Sequence, residues 1–259
     1  MPTLDLNGLR VEYDRTGSGP DLLLVHSLLT ELTVFDRVLP QLAATRRVTR
    51  INLPGFGRSD PLALTSVADH ADHVARVAQA LALPVDTDVF GNGFGAFVVT
   101  ELAIRHGARF GRVILADVVP AFPEAARTPF RVMAEKVRAG GMPAVLDAAI
   151  GRMFPPAFAE RNADVVAARR TALAAVSPDC FARACLALAE LDLTPRLGGI
   201  RNRSLVLCGA LDQTTPPALA EALASKIPGA TYREIPDSGH CPMLEQPDRL
   251  VAALREFAG

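Results

Sequence analysis

Short apolar runs of strand length alternate with longer stretches of helical period, and this alternation constrains the chain more than any other feature. Strand-like runs lie at 9–13, 22–26, 48–53, 85–91, 112–117, 204–209 and 231–235. Between them, 34–42, 66–81, 94–106, 217–225 and 247–257 read as helices, and 66–81 carries Val67, Val74, Val77 and Leu81 on one face. Strand–helix alternation predicts a parallel sheet with helices on both faces, because each parallel crossover lays a helix across the sheet. One long interruption breaks the rhythm. It contains no strand-like run, and helical stretches are predicted at 123–138, 143–153, 164–176 and 180–191. The reading is one core domain made of 1–119 and 198–259, with 120–197 inserted as a helical cap.

Composition narrows the function classes. The 259 residues are 49% hydrophobic, enough for a large buried core. Lysine and arginine number 27 against 28 acidic residues, and no basic block appears, which argues against nucleic acid or an anionic membrane as partner. The opening MPTLDLNGLR lacks the apolar centre of a signal peptide, and no run approaches the length of a membrane span. A soluble, cytoplasmic protein is expected. Cys180, Cys185, Cys208 and Cys241 show neither a CxxC nor a spacing paired with histidines, so buried reduced thiols are expected, with no metal site and no disulfide framework.

At 89–98, VFGNGFGAFV, a strand runs into a helix through three closely spaced glycines. Two mechanisms want such a turn. A dinucleotide fingerprint, G-x-G-x-x-G/A, is met by Gly91, Gly93 and Ala96, with Asp117 ending the following strand where a ribose-binding acid would stand. That fingerprint belongs to the opening strand of its own unit, however, and this strand lies deep in the pattern. The other mechanism is a nucleophile elbow, G-x-Nu-x-G, with Gly91 and Gly95 as flanks and position 93 as nucleophile. The central residue here is Gly93, which tolerates the strained backbone but brings no reactive oxygen.

Three further segments bear on the choice. LLLVHSLL, 22–29, is an apolar strand ending in a loop from which a backbone N–H can converge with that of Phe94 to form an oxyanion hole. His26 within it reads as a structural histidine bracing the loop. CGALD, 208–212, puts Asp212 just past one strand, and PDSGH, 236–240, puts His240 just past the next. Neighbouring parallel strands end on the same edge of a sheet, so the two side chains can meet there, the carboxylate setting the tautomer of an imidazole that acts as general base.

Position 93, Asp212 and His240 follow the chain order nucleophile, acid, histidine, and in this the sequence resembles the α/β-hydrolase superfamily. The likeness runs from LLLVHSLL to GHCPMLEQPDRL. Within the superfamily the chain is similar to the 3-oxoadipate enol-lactonases and small carboxylic-ester hydrolases through HSLLTELTVFDRVLPQLA, VRAGGMPAVLDAAIGRMF and LDQTTPPALAEALASKIPGA. The resemblance implies an α/β fold with a mostly parallel eight-stranded sheet and a helical cap. It also implies a small-molecule ester or lactone substrate and no cofactor, with a site at Gly93, Asp212 and His240 and oxyanion donors at Leu28 and Phe94. Superfamily members with a hydroxyl at the position of Ser27 use it to hold substrate, and Ser27 is assigned that role; Cys241, beside His240, is rejected as a nucleophile. In the family a serine attacks from position 93. Its replacement by glycine, engineered or natural, leaves three readings: a disabled serine hydrolase, a histidine-driven lyase, isomerase or cofactor-free enzyme without a covalent step, or a small-ligand-binding protein. Cap residues Phe130, Met133, Met142 and Phe154 are candidates for lining the pocket.

Overall fold

The computed structural model describes residues 1–258. Eight strands form one sheet in the order β1-β2-β4-β3-β5-β6-β7-β8. These are β1 (Thr3–Leu6), β2 (Leu9–Thr16), β3 (Asp21–Val25), β4 (Arg47–Ile51), β5 (Thr87–Asn92), β6 (Phe110–Ala116), β7 (Ser204–Gly209) and β8 (Thr231–Ile235). From β4 to β8 every pairing is parallel, while β1–β2 and β2–β4 are antiparallel. The seven runs expected from sequence are all strands. The eighth, β1, joins β2 through a tight turn at Asn7 and Gly8; its four residues alternate between exposed and half-buried, too short a pattern to stand out.

Strands β3, β5 and β7 are buried along their whole length, as strands covered on both faces must be. Helix α1 (Leu39–Ala43) is shorter than the 34–42 stretch expected; a separate 3₁₀ turn at Leu32–Phe35 precedes it, because Pro40 can open a helix but not continue one. Helix α2 (Val67–Ala80) starts at a reciprocal cap in which Ser66 accepts from Asp69 N–H and Asp69 accepts from Ser66 N–H. It packs against α3 (Phe94–His106), which follows β5 without a loop.

Between β6 and β7 lie five helices and no strand of the sheet: α4 (Glu124–Gly140), α5 (Leu146–Met153), α6 (Pro156–Arg161), α7 (Ala163–Ala174) and α8 (Pro178–Glu190). Sequence reading missed α6, whose six residues span under two turns and bury none of their side chains fully. The insertion closes at its base, where Ala121 and Asp192 form an antiparallel bridge. It is tied to the core by Arg169, which donates to Glu31 at 3.0 Å and to Thr33 Oγ1 at 2.7 Å, and by Ser177 N–H donating to the Gly55 carbonyl at 2.8 Å. Helices α9 (Pro217–Ala224), α10 (Pro242–Glu245) and α11 (Pro247–Ala258) complete the chain, with α11 joined to α1 through Gln41 and Asp248. All four cysteines are buried and free. Among the described residues no single helix is long and apolar enough to cross a membrane.

Three buried histidines give the fold an acid limit. Burial depresses His26 to about 4, His70 to about 3 and His73 to about 4. His70 Nδ1 and His73 Nε2 have no hydrogen-bond partner to offset protonation. Below pH 6.5 the unfolded chain takes up protons that the folded chain excludes, so stability is complete above that pH and falls as pH drops towards 4. On the order of 2 kcal/mol per histidine is expected to be lost between pH 7 and 4.5. Urea midpoints measured across that range should fall steeply, and a flat profile would contradict the neutral burial of these rings.

Candidate active site

The elbow is built as its glycines demand. Gly93 caps α3 with φ 51° and ψ −119°, a conformation costly for residues with a side chain. A Cβ on Gly91 would come within 2.3 Å of the Gly95 carbonyl oxygen, and one on Gly95 within 2.2 Å of the Val25 carbonyl oxygen. The flanking glycines therefore exist for close backbone approach, which lets α3 start directly against β3 and β5. The dinucleotide reading of this turn gives way, because Asp117, the would-be ribose acid, is fully buried with both oxygens already hydrogen-bonded.

Asp212 and His240 meet as their strand ends predict. His240 Nδ1 lies 2.8 Å from Asp212 Oδ2. The carboxylate also receives Thr215 Oγ1–H at 2.5 Å on that oxygen, and the N–H groups of Thr214 (2.7 Å) and Thr215 (3.1 Å) on the other. Burial alone would raise its pKa, but His240 and these hydrogen bonds hold it down to about 2. An ionised acid thus fixes Nδ1 as the protonated nitrogen and leaves Nε2 with its lone pair. Nε2 would lie 2.9 Å from a Cβ on Gly93, so the imidazole faces the start of α3. The loop carrying His240 is braced by Glu245, which accepts from Gly239 and Cys241 N–H at 2.7 and 2.9 Å.

A second carboxylate lies behind the pair. Asp117, in the left-handed region at φ 58°, accepts from Asn92 Nδ2 at 2.7 Å and from Gly209 N–H at 2.9 Å. Burial, reinforced by the charge of Asp212, raises its pKa well above the ordinary carboxylate range. Asn92 also donates to the His240 carbonyl at 3.1 Å, so β5, β6 and the histidine loop share one network. Asp117, Asp212 and His240 place ligand-type atoms within 4.8 Å of one another. Both oxygens of each carboxylate already accept hydrogen bonds, so the cluster is a bonded network and not an open set of ligands.

The loop after β3 is pinned by His26, as expected of a structural histidine. Its Nδ1 lies 2.8 Å from the Ser27 carbonyl, and its Nε2 accepts Leu53 N–H at 3.0 Å. Phe94 N–H points into the site and donates to Ser27 Oγ at 3.3 Å, and Leu28 N–H donates to no acceptor among the described residues. A narrow chamber opens over these groups, walled by Leu28, Phe94, Phe97, Phe122, Phe130, Met133 and Leu188. Its polar lining is Ser27, Thr214, Thr215, His240 and Arg152. A wider polar cleft, lined by Arg152, Phe154, Gln213 and Gly239, also reaches His240. Of the four cap residues weighed from sequence, Phe130 and Met133 line the chamber, Phe154 the outer cleft, and Met142 is buried in the core.

Sequence reasoning missed Thr215, Asn92 and Arg152. Thr215 was within reach, since a threonine three residues after a turn aspartate commonly hydrogen-bonds to it. Arg152 carried no local signal; only the folded insertion brings its guanidinium over the Phe130 ring, 5.1 Å from the centroid.

The match to known proteins covers most of the fold. Residues 22–253 match the model of the "Alpha/beta hydrolase family". The chain is 29% identical to a pimeloyl-[acyl-carrier protein] methyl ester esterase of Aeromonas hydrophila, covering 97% of this chain and all of that one. It is 28% identical to the polyketide synthase ThaQ of Burkholderia thailandensis over 96% of this chain, but spans only 12% of that far longer protein. The crystal structure of the enol-lactonase from Burkholderia xenovorans superimposes with a TM-score of 0.92 at 28% identity, over 99% of both chains. The chain belongs to the alpha/beta hydrolase family.

Proposed function

We propose that the protein hydrolyses small carboxylic esters or lactones at the chamber over Gly93. The observation that carries this reading is the Asp212–His240 pair, 2.8 Å apart, with Nε2 open towards the first amide of α3. An imidazole so held takes a proton from an attacking oxygen and returns it to the leaving group. In this reading the N–H groups of Leu28 and Phe94 receive the charge that develops on the carbonyl oxygen. Similarity to an esterase and an enol-lactonase supports the same substrate class.

The chamber suggests which esters. Its walls are aromatic and aliphatic, and Arg152 is the one fully charged side chain in its lining. Arg152 is half-buried and makes no ion pair among the described residues. Burial lowers its pKa, which is the desolvation a bound anion would relieve. We infer that the preferred substrate carries a second, anionic group on a short apolar chain.

The test is turnover of a panel of aryl and alkyl esters and five- and six-membered lactones, each with and without a terminal carboxylate. Hydrolysis should favour the acidic members. Arg152→Met should raise KM for them by at least about 10-fold, the worth of a charge-assisted hydrogen bond, and leave neutral esters unchanged. A panel left wholly intact would sink the hydrolase reading. The lack of an oxygen on Gly93 favours a second reading, in which His240 acts directly as general base in a lyase or isomerase. Exchange of an acidic C–H with deuterated water, without ester cleavage, would mark that case.

A further inference from the structure

The space that an elbow side chain would fill is not empty. A Cβ placed on Gly93 would lie 2.3 Å from Ser27 Oγ, 3.0 Å from Ser27 Cβ and 2.9 Å from His240 Nε2. What occupies the position is itself a primary hydroxyl, delivered from the loop after β3 instead of from the elbow. Ser27 is 2% exposed, and its Oγ accepts from Phe94 N–H at 3.3 Å but gives its own proton to no acceptor. His240 Nε2 in turn receives no hydrogen bond, its ring being held through Nδ1 alone. A donor without an acceptor and an acceptor without a donor thus lie within 2.9 Å of one point, on the floor of one chamber. The Ser27 backbone is fixed on both sides. Its N–H donates to Thr30 Oγ1 at 3.0 Å, and its carbonyl accepts Thr30 N–H at 3.3 Å and faces His26 Nδ1 at 2.8 Å. With the backbone held, the hydroxyl moves by rotation about a single side-chain torsion.

The geometry points to Ser27 as the nucleophile of this site, relocated from position 93 to the neighbouring loop. The inference rests on the ester or lactone reading for its substrate. His240 Nε2 takes the Ser27 hydroxyl proton as Oγ bonds to the ester carbonyl carbon, and the carbonyl π pair moves onto oxygen. Phe94 N–H, released as Oγ moves away, joins Leu28 N–H on that oxyanion. Collapse expels the alkoxide, which takes the proton from Nε2 and leaves an acyl ester on Ser27. Water then gives a proton to Nε2 and attacks the acyl carbon; Ser27 leaves, regains that proton, and the carboxylic acid is released. Glycine at 93 is what makes room, since a side chain there would displace the Ser27 hydroxyl.

The test is to treat the unmodified protein with an alkyl fluorophosphonate and map the adduct by peptide mass spectrometry. One adduct is expected, on Ser27, absent from Ser27→Ala and from His240→Ala. Ser27→Ala should lower kcat by at least about 1,000-fold with little change in KM. Gly93→Ser combined with Ser27→Ala should move the adduct to position 93. A serine that only holds substrate gives the opposite split: KM rises, kcat survives and Ser27 stays unlabelled. Ester turnover with Ser27 unlabelled overturns the relocation and leaves the hydrolase reading standing. A labelled Ser27 in a protein that cleaves no ester or lactone supports the nucleophile and removes the substrate class instead.

Discussion

His240→Ala is expected to abolish ester turnover, lowering kcat by about 10⁵–10⁶-fold, and Asp212→Asn to lower it by about 10⁴-fold. The two numbers differ because the residues act differently. In the proposed reaction the imidazole carries the proton in both halves, and its removal leaves no base. Converting Asp212 to its amide keeps the volume but changes what faces Nδ1. In the native site an ionised carboxylate with four hydrogen-bonding partners receives the Nδ1 proton, and Nε2 is left with its lone pair. An amide that turns its N–H₂ towards Nδ1 forces the proton onto Nε2, the wrong tautomer for a base. Steady-state kinetics on the best ester of the panel, with urea midpoints to confirm folding, measures both. A loss under about 10-fold in His240→Ala would place the chemistry elsewhere in the molecule.

Gly95→Ala should be severely destabilising, costing at least about 4 kcal/mol and leaving much of the protein insoluble. Its Cβ would come within 2.2 Å of the Val25 carbonyl oxygen, 2.6 Å of the His26 carbonyl oxygen and 2.7 Å of the Val25 carbonyl carbon. All three are backbone atoms of β3 and its loop, and β3 is hydrogen-bonded to β4 and β5 on either side, so none can yield. Position 93 contrasts with it. The nearest atom to a Cβ on Gly93 is the end of the Ser27 side chain, which can rotate, so Gly93→Ala should cost only about 1–3 kcal/mol through its strained φ. Gly151, in α5, has nothing within 4 Å of its added Cβ. Gly151→Ala should therefore stabilise by about 0.5–1 kcal/mol and serves as the control. Urea unfolding of the three variants gives the order directly; equal stabilities would refute the close approach of α3 to β3.

Most of the architecture was legible because its elements are long, apolar and periodic. Strands such as 204–209 and helices such as 66–81 bury enough surface for their pattern to show in the order of apolar and polar residues alone. Failures fell on short elements. Strand β1 and helix α6 hold four and six residues and bury little, so their sequence carries almost no periodicity. The helix expected at 34–42 divided because a proline lies inside it. In the site, Asp212 and His240 could be placed from strand ends, since the turn after a parallel strand always opens on the same edge. Asn92, Arg152 and the position of Ser27 could not be placed in this way, because each acts across a gap that no local pattern encodes.

By itself the sequence determined the fold class, the chain order of the site and the absence of an oxygen on residue 93. These depend on periodicity, on strand ends and on the identity of a single residue, all of which are local. The tertiary structure decided what stands in the place of the missing side chain. A hydroxyl sixty-six residues upstream in the chain comes to the same point as the imidazole because β3 and β5 are neighbours in the sheet. Their parallel pairing superimposes the loop that follows one strand on the helix that follows the other, and only the folded sheet brings those two ends together.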